Sequence, residues 1–399
     1  MLTIRPYHLA ALFVAGCTLL DGCSKGPSRK EFSAYADSLV FTTVIQNPIT
    51  PVRNQGKGNT CWSYASTSFL ESETMRMDPS IPVEQCPILS EDYFVFCSFI
   101  EKARLYFYED IPSFSPRGEC EDVFVLASRY GVCPENVLPS KLDHTKMDHE
   151  IVEYAKKAKK LCESDIEDKD IEDKIEDMMD GIRDILSSSI GEPPRRFEVE
   201  GVRYSPRSYM KHLGIDPSKF ITLCSDTGQL YFCWTLIESP DNHFSLSAFN
   251  IDLDYMTDII WHALEEGFTL TWLGDISENG FLKSGVALES IPPGKEEISA
   301  EERQRGIDRG KTTDDHAMHL FGIARDQNGN RYAMAKNSWG KKGRFGGVWY
   351  LSEGYLRGKT LSISLSKDFI GHWEEKSGLT DEGSRMEMTT ACAEPISSR

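Results

Sequence analysis

Helical and strand patterns are segregated along this chain. Segments with apolar residues at helical spacing dominate the first two thirds. Short β-rich segments separated by turn residues dominate the end. "CWSYASTSFLESETMRM" carries apolar residues at 62, 65, 69 and 70. "LSEDYFVFCSFIEKARLYF" and "CEDVFVLASRYGVCPEN" read as two more helices, with Gly131 stopping the second. "DLDYMTDIIWHALEEGFTLTWLGDIS" reads as a helix, a stop at Gly267 and a strand. Ser290–Arg309 is polar and reads as a long loop. "AMHLFGIARD", "NRYAMAKNSWG" and "GVWYLS" follow as strands. Helices first and strands last predict an α+β fold.

The 399 residues are 40% hydrophobic and 11% aromatic, a globular composition. A net charge of −18 repels phosphate backbones, so nucleic acid is not an expected partner. The eleven cysteines include no CxxC pair and no Cys/His cluster at zinc spacing, so no metal and no cofactor is expected.

The N-terminus reads as a targeting segment. Arg5 precedes the apolar run Leu9–Gly16, which is far shorter than the ~20 residues a spanning helix needs but suits a signal sequence. It ends in "VAGC", similar to a bacterial lipobox, with Cys17 as the acylated residue and Cys23 as the alternative. This predicts an exported lipoprotein of the bacterial cell envelope held by its lipid anchor; a cytoplasmic protein is the alternative. The chain then divides into a signal peptide (1–23), a linker (24–45) and one domain (46–399). That domain carries an insertion over about 140–250 and a polar tail over about 373–399. Within the insertion an acidic stretch places Ile171, Ile175, Met178, Ile182 and Ile185 on one helical face.

Cys61 follows the glycine-containing loop "TPVRNQGKGNT" and opens a helix. There the unpaired N–H groups and the helix dipole favour a thiolate. A cysteine nucleophile needs a base, and the base needs an orienting group. His316 enters a strand. Asn337 follows the next one and precedes Trp339, whose ring would shield an imidazole–amide bond from water. Gln55, six residues before Cys61, would join the Cys61 backbone N–H in holding an oxyanion. His319 alternates to the opposite strand face and is read as structural. Trp62 and Trp339 are read as packing residues around the site.

"NQGKGNTCWSYA", "LSEDY", "DDHAMHLFG" and "KNSWG" resemble the papain superfamily. "YGVCPEN" and the long insertion are more specifically similar to its bleomycin hydrolase and aminopeptidase C branch. The resemblance spans roughly 50–366. It implies a two-lobed fold with a cleft between a helical and a β-rich lobe. It also implies Cys61 as nucleophile, His316 as base, Asn337 as orienter and Gln55 as oxyanion donor, and a cysteine aminopeptidase acting on peptides as a homo-hexamer. Gly58 stands where the secreted papain branch has a disulfide cysteine, in keeping with the aminopeptidase branch. Three alternatives share these residues: an endopeptidase, another amide-hydrolysing or acyl-transferring enzyme, and a peptide-binding scaffold that has lost catalysis.

Overall fold

The computed structural model describes residues 26–109, 114–164, 171–294 and 298–371. The chain begins with α1 (Arg29–Asp37), β1 (Phe41–Gln46), α2 (Cys61–Met77), α3 (Glu91–Tyr108) and α4 (Asp122–Tyr130). Next come α5 (Thr145–Ser164), α6 (Ile171–Ile190), the hairpin β2 (Phe197–Val199) and β3 (Val202–Tyr204), and α7 (Pro206–His212). Then follow β4 (Phe220–Cys224), β5 (Cys233–Leu236), β6 (Ser247–Asn250), α8 (Leu253–Glu265), β7 (Leu270–Gly274), β8 (Phe281–Leu282) and β9 (Val286–Ala287). The chain closes with α9 (Ala300–Asp308), β10 (His316–Asp326), β11 (Arg331–Lys336), β12 (Val348–Ser352), α10 (Glu353–Lys359) and β13 (Thr360–Ser366).

The main sheet runs β5-β6-β4-β13-β7-β10-β11-β12-β9-β8, with β1 added to β10. Its centre, β7-β10-β11-β12, is antiparallel and buried, and α8 packs on one face through Ile259, Ile260 and Leu264. A second core lies among α2 to α7 and is filled by Phe69, Phe94, Phe99, Val123, Leu126 and Ile182. The α+β arrangement with one helical and one β-rich region matches the expectation from sequence.

α2 joins the two regions. It packs on β10 and β7 on one side and on α3 and α4 on the other. A helix enclosed this way is buried all round, polar residues included, and each buried polar group needs a partner. Ser63 Oγ donates to the Glu91 carbonyl and Ser66 Oγ to the Cys120 carbonyl, both at 2.9 Å. Ser68 Oγ lies 2.8 Å from His319 Nδ1.

Three boundaries differ from the sequence reading. The segment read as a linker over 24–45 is folded from Arg29 onward. Ser28 and Glu31 form a capping box on α1, which buries Phe32 and Ala36, and β1 pairs with β10. The stretch Ser290–Arg309, read as a loop, contains α9, whose N-cap Ser299 accepts from the Glu302 amide at 3.1 Å. The stretch 140–250, read as one insertion, contributes to both regions. Its helices α5 to α7 belong to the helical core, whereas β4, β5 and β6 extend the main sheet. On α6, Ile175, Met178 and Ile182 are buried as expected, but Ile171 is exposed and Ile185 only half-buried. Leu186 and Ile190 complete the apolar stripe instead. Residues 1–25, with Cys17, Cys23 and the signal sequence, and the tail from 372 lie outside the described residues.

Candidate active site

Cys61 is the first residue of α2, after Thr60 at the N-cap. In the first turn of a helix the backbone N–H groups have no intrahelical acceptor and carry partial positive charge. The half-buried Cys61 side chain packs against Ala65, Cys120, Leu273 and Ala317. The backbone amides of Ala317 and Trp62 and the charge of Arg117 favour its thiolate, but burial outweighs them and raises the thiol above its ordinary value.

Ala317 follows His316, so the thiol meets β10 at the strand's first residues. His316 is buried and its Nε2 lies 2.8 Å from Asn337 Oδ1. That oxygen also accepts the Ser338 amide at 2.7 Å. An amide oxygen only accepts, so the His316 proton sits on Nε2 and Nδ1 keeps its lone pair. Trp339 covers the ring, with centroids 4.8 Å apart. Burial pushes the imidazole down to about 4, against the Asn337 hydrogen bond and the nearby Asp315 charge. Burial thus opposes charge on both groups and works against the helix dipole at Cys61. Among the described residues no hydrogen bond joins Cys61 to His316.

Gln55 lies in a loop that pairs with the segment after Asn337. The Gln55 amide donates to the Ser338 carbonyl at 2.7 Å, the Gly340 amide donates to the Arg53 carbonyl at 2.9 Å, and Asn54 bridges to Trp339. Ser338 Oγ donates to Gln55 Oε1 at 2.5 Å, and Gln55 Nε2 donates to the Gly58 carbonyl at 3.1 Å. A carboxamide NH2 has two donors, so one remains. Gly58 has φ +138°, and a Cβ there would meet His144 at 3.0 Å, so glycine suits this approach.

His319 faces α2 and bonds Ser68, a structural role as read from its strand position. Trp339 covers His316, whereas Trp62 is buried in the helical core with Lys102 Nζ 5.6 Å from its ring centroid. Two contributors carry no signal in the sequence. Arg117 reaches across the fold, donating to the Asp314 carbonyl at 2.8 Å and pairing with Asp241 at 2.6 Å. The Ser338 hydroxyl fixes Gln55, although "NSW" marks its position. Among the described residues no cluster of metal-ligating side chains was found.

This sequence matches the Peptidase C1-like family over residues 114–382. The chain belongs to that family. The peptidase is 21% identical to aminopeptidase W of Lactobacillus delbrueckii subsp. lactis, with 84% of this chain and 85% of that protein covered. It is 22% identical to aminopeptidase C of Lactococcus lactis subsp. cremoris, covering 81% and 82%. The crystal structure of PepW from Lactobacillus rhamnosis HN001 superposes on the peptidase with a TM-score of 0.70 at 18% identity, covering 87% of each chain. The fold is therefore the papain-like α+β fold that the motifs resemble, and the protein is a cysteine peptidase of its aminopeptidase C branch.

Proposed function

We infer that the protein is a cysteine aminopeptidase in which Cys61 attacks the peptide carbonyl. The Cys61 proton passes to His316 Nδ1 as Sγ bonds to the carbonyl carbon. His316 then delivers that proton to the leaving amine as the C–N bond breaks, and water hydrolyses the thioester. Asn337 keeps the lone pair of Nδ1 toward the cleft by accepting from Nε2. The remaining Gln55 Nε2 donor and the Cys61 amide bind the oxyanion.

The observation that carries this reading is the 2.8 Å His316–Asn337 bond beneath Trp339, with the next residue, Ala317, against Cys61. The names of the relatives support exopeptidase action. Turnover of aminoacyl-coumarins with a free amine, against their N-acetylated forms, tests it. Faster cleavage of the blocked forms contradicts it.

The proposal extends to place. Arg5, the Leu9–Gly16 run and Cys17 support export and acylation at the cell envelope. A single acyl chain binds a membrane only marginally, so a stable anchor needs more than one. The Cys17→Ser protein should leave the membrane fraction or stall before processing; unchanged fractionation, with Cys23→Ser releasing the protein, moves the anchor to Cys23.

A further inference from the structure

A cavity of about 600 Å³ adjoins the site. Its wall includes Leu273, which packs in the same cluster as Cys61 and Ala317, and Asp314, two residues before His316. A peptide held at Cys61 therefore passes close to its mouth. Four carboxylates stand on the wall, Asp226, Glu238, Asp308 and Asp314, against one cation, Arg303. The Arg303 side chain is buried and its donors are committed to the backbone carbonyls of Ser225 and Thr360. Asp314 is held in place: its Oδ2 accepts from Ser239 Oγ at 2.6 Å, while Arg117 stands 3.9 Å from Oδ1.

A second feature lies behind the wall. Glu119 and Glu121 are 1% and 5% exposed, and none of their carboxylate oxygens has a hydrogen-bond partner among the described residues. Burial raises both carboxyls, and the hydroxyls of Ser239, Thr222 and Ser362 stand near enough to oppose it, Ser239 and Ser362 being on the cavity wall.

We propose that the cavity receives a cationic side chain, lysine or arginine, from the acyl side of the substrate, and that Asp314 and Glu238 select its charge. The proposal rests on the peptidase reading of the Cys61 site. The cavity of about 600 Å³ carries Asp314, Asp226 and Asp308 on its wall, room that suits a long side chain rather than an α-ammonium alone. An acidic substrate side chain meets like charge there, which disfavours it.

The test is kcat/KM on coumarin amides with Arg, Lys, Leu or Glu at either of the two residues before the scissile bond, each with a free and with an acetylated amine. Arg and Lys should exceed Leu by about tenfold at one of these positions, a difference of about 1.4 kcal/mol, with Glu lowest. Asp314→Asn and Glu238→Gln should each reduce the Arg-to-Leu ratio, chiefly through KM. Because Asp314 also contacts Arg117, the exposed Glu238 provides the variant least exposed to folding effects. Equal rates for Arg and Leu, or a ratio unchanged in both variants, overturn the proposal. If only the acetylated substrates turn over, exopeptidase action fails, and the Arg-to-Leu ratio on those same substrates still decides the cavity's role. Calorimetry of the Cys61→Ala protein with Arg- and Leu-containing peptides reads the same preference without turnover.

Discussion

Ser338 Oγ donates to Gln55 Oε1 at 2.5 Å, so the residue next to Asn337, the proposed orienter of His316, also holds the proposed oxyanion donor. Orienter and oxyanion loop are thereby set by one short segment, Asn337–Gly340, paired with Arg53–Gln55. Gln55→Ala should lower kcat by about 10²- to 10³-fold, as expected for one oxyanion donor, with little change in KM. Ser338→Ala should reproduce a smaller part of that loss, because the amide remains but turns more freely. A KM effect with kcat intact would place Gln55 in substrate binding instead.

His316 and Asn337 should contribute unequally. His316→Ala removes the proton acceptor and should cost about 10²- to 10⁴-fold in kcat. Asn337→Ala leaves the imidazole but frees its ring and tautomer, so the loss should be smaller. Steady-state kinetics of both folded variants checks this. Equal losses would give Asn337 a role beyond orientation.

Much of the site was legible because its residues sit at element boundaries marked by local chemistry. Gly56 and Gly58 flag a loop, Cys61 follows it at a helix start, and His316 opens an apolar strand. What escaped was non-local. Arg117 acts on residues about 200 positions away, and no local pattern encodes that approach. The burial that opposes the helix dipole at Cys61 was also hidden, since the helix N-terminus is visible in sequence and the enclosure around the thiol is not. α2 shows the same limit: its buried Ser63, Ser66 and Ser68 look solvent-facing by composition, yet each hydrogen-bonds across the interior. α1 was read as a tether because one capped, mostly polar turn hides two buried apolar residues.

α1 should be part of the folded unit. Phe32 is buried beside Leu39, Leu282 and Phe321. Phe32→Ala should destabilise the protein by about 3–5 kcal/mol, the usual cost of emptying a buried aromatic site. Urea unfolding monitored by fluorescence measures it. A change too small to resolve would mean that α1 is only loosely attached.

Activity should fall on acidification as His316 gains a proton. Its imidazole accepts the Cys61 proton only when neutral, and burial holds it at about 4, so the acid limb of kcat/KM should lie well below the ordinary histidine range. The negative charge of Asp315 raises that value. Asp315→Asn removes the charge and should move the acid limb to lower pH. A shift to higher pH would show that Asp315 does not act through its charge.

The assignment of Cys61 as nucleophile is tested most directly by alkylation with peptide mapping. Among the described residues Cys61, Cys86, Cys97, Cys120, Cys133 and Cys224 carry free thiols, and only Cys61 and Cys224 are not fully buried. Burial raises the Cys224 thiol to about 12, with the charges of Asp226 and Glu121 adding to the shift against Arg303. Iodoacetamide should modify Cys61 first, with His316 taking its proton, in step with loss of peptidase activity, and His316→Ala should slow that modification. Inactivation that tracks another cysteine, or full activity in Cys61→Ala, would contradict the mechanism.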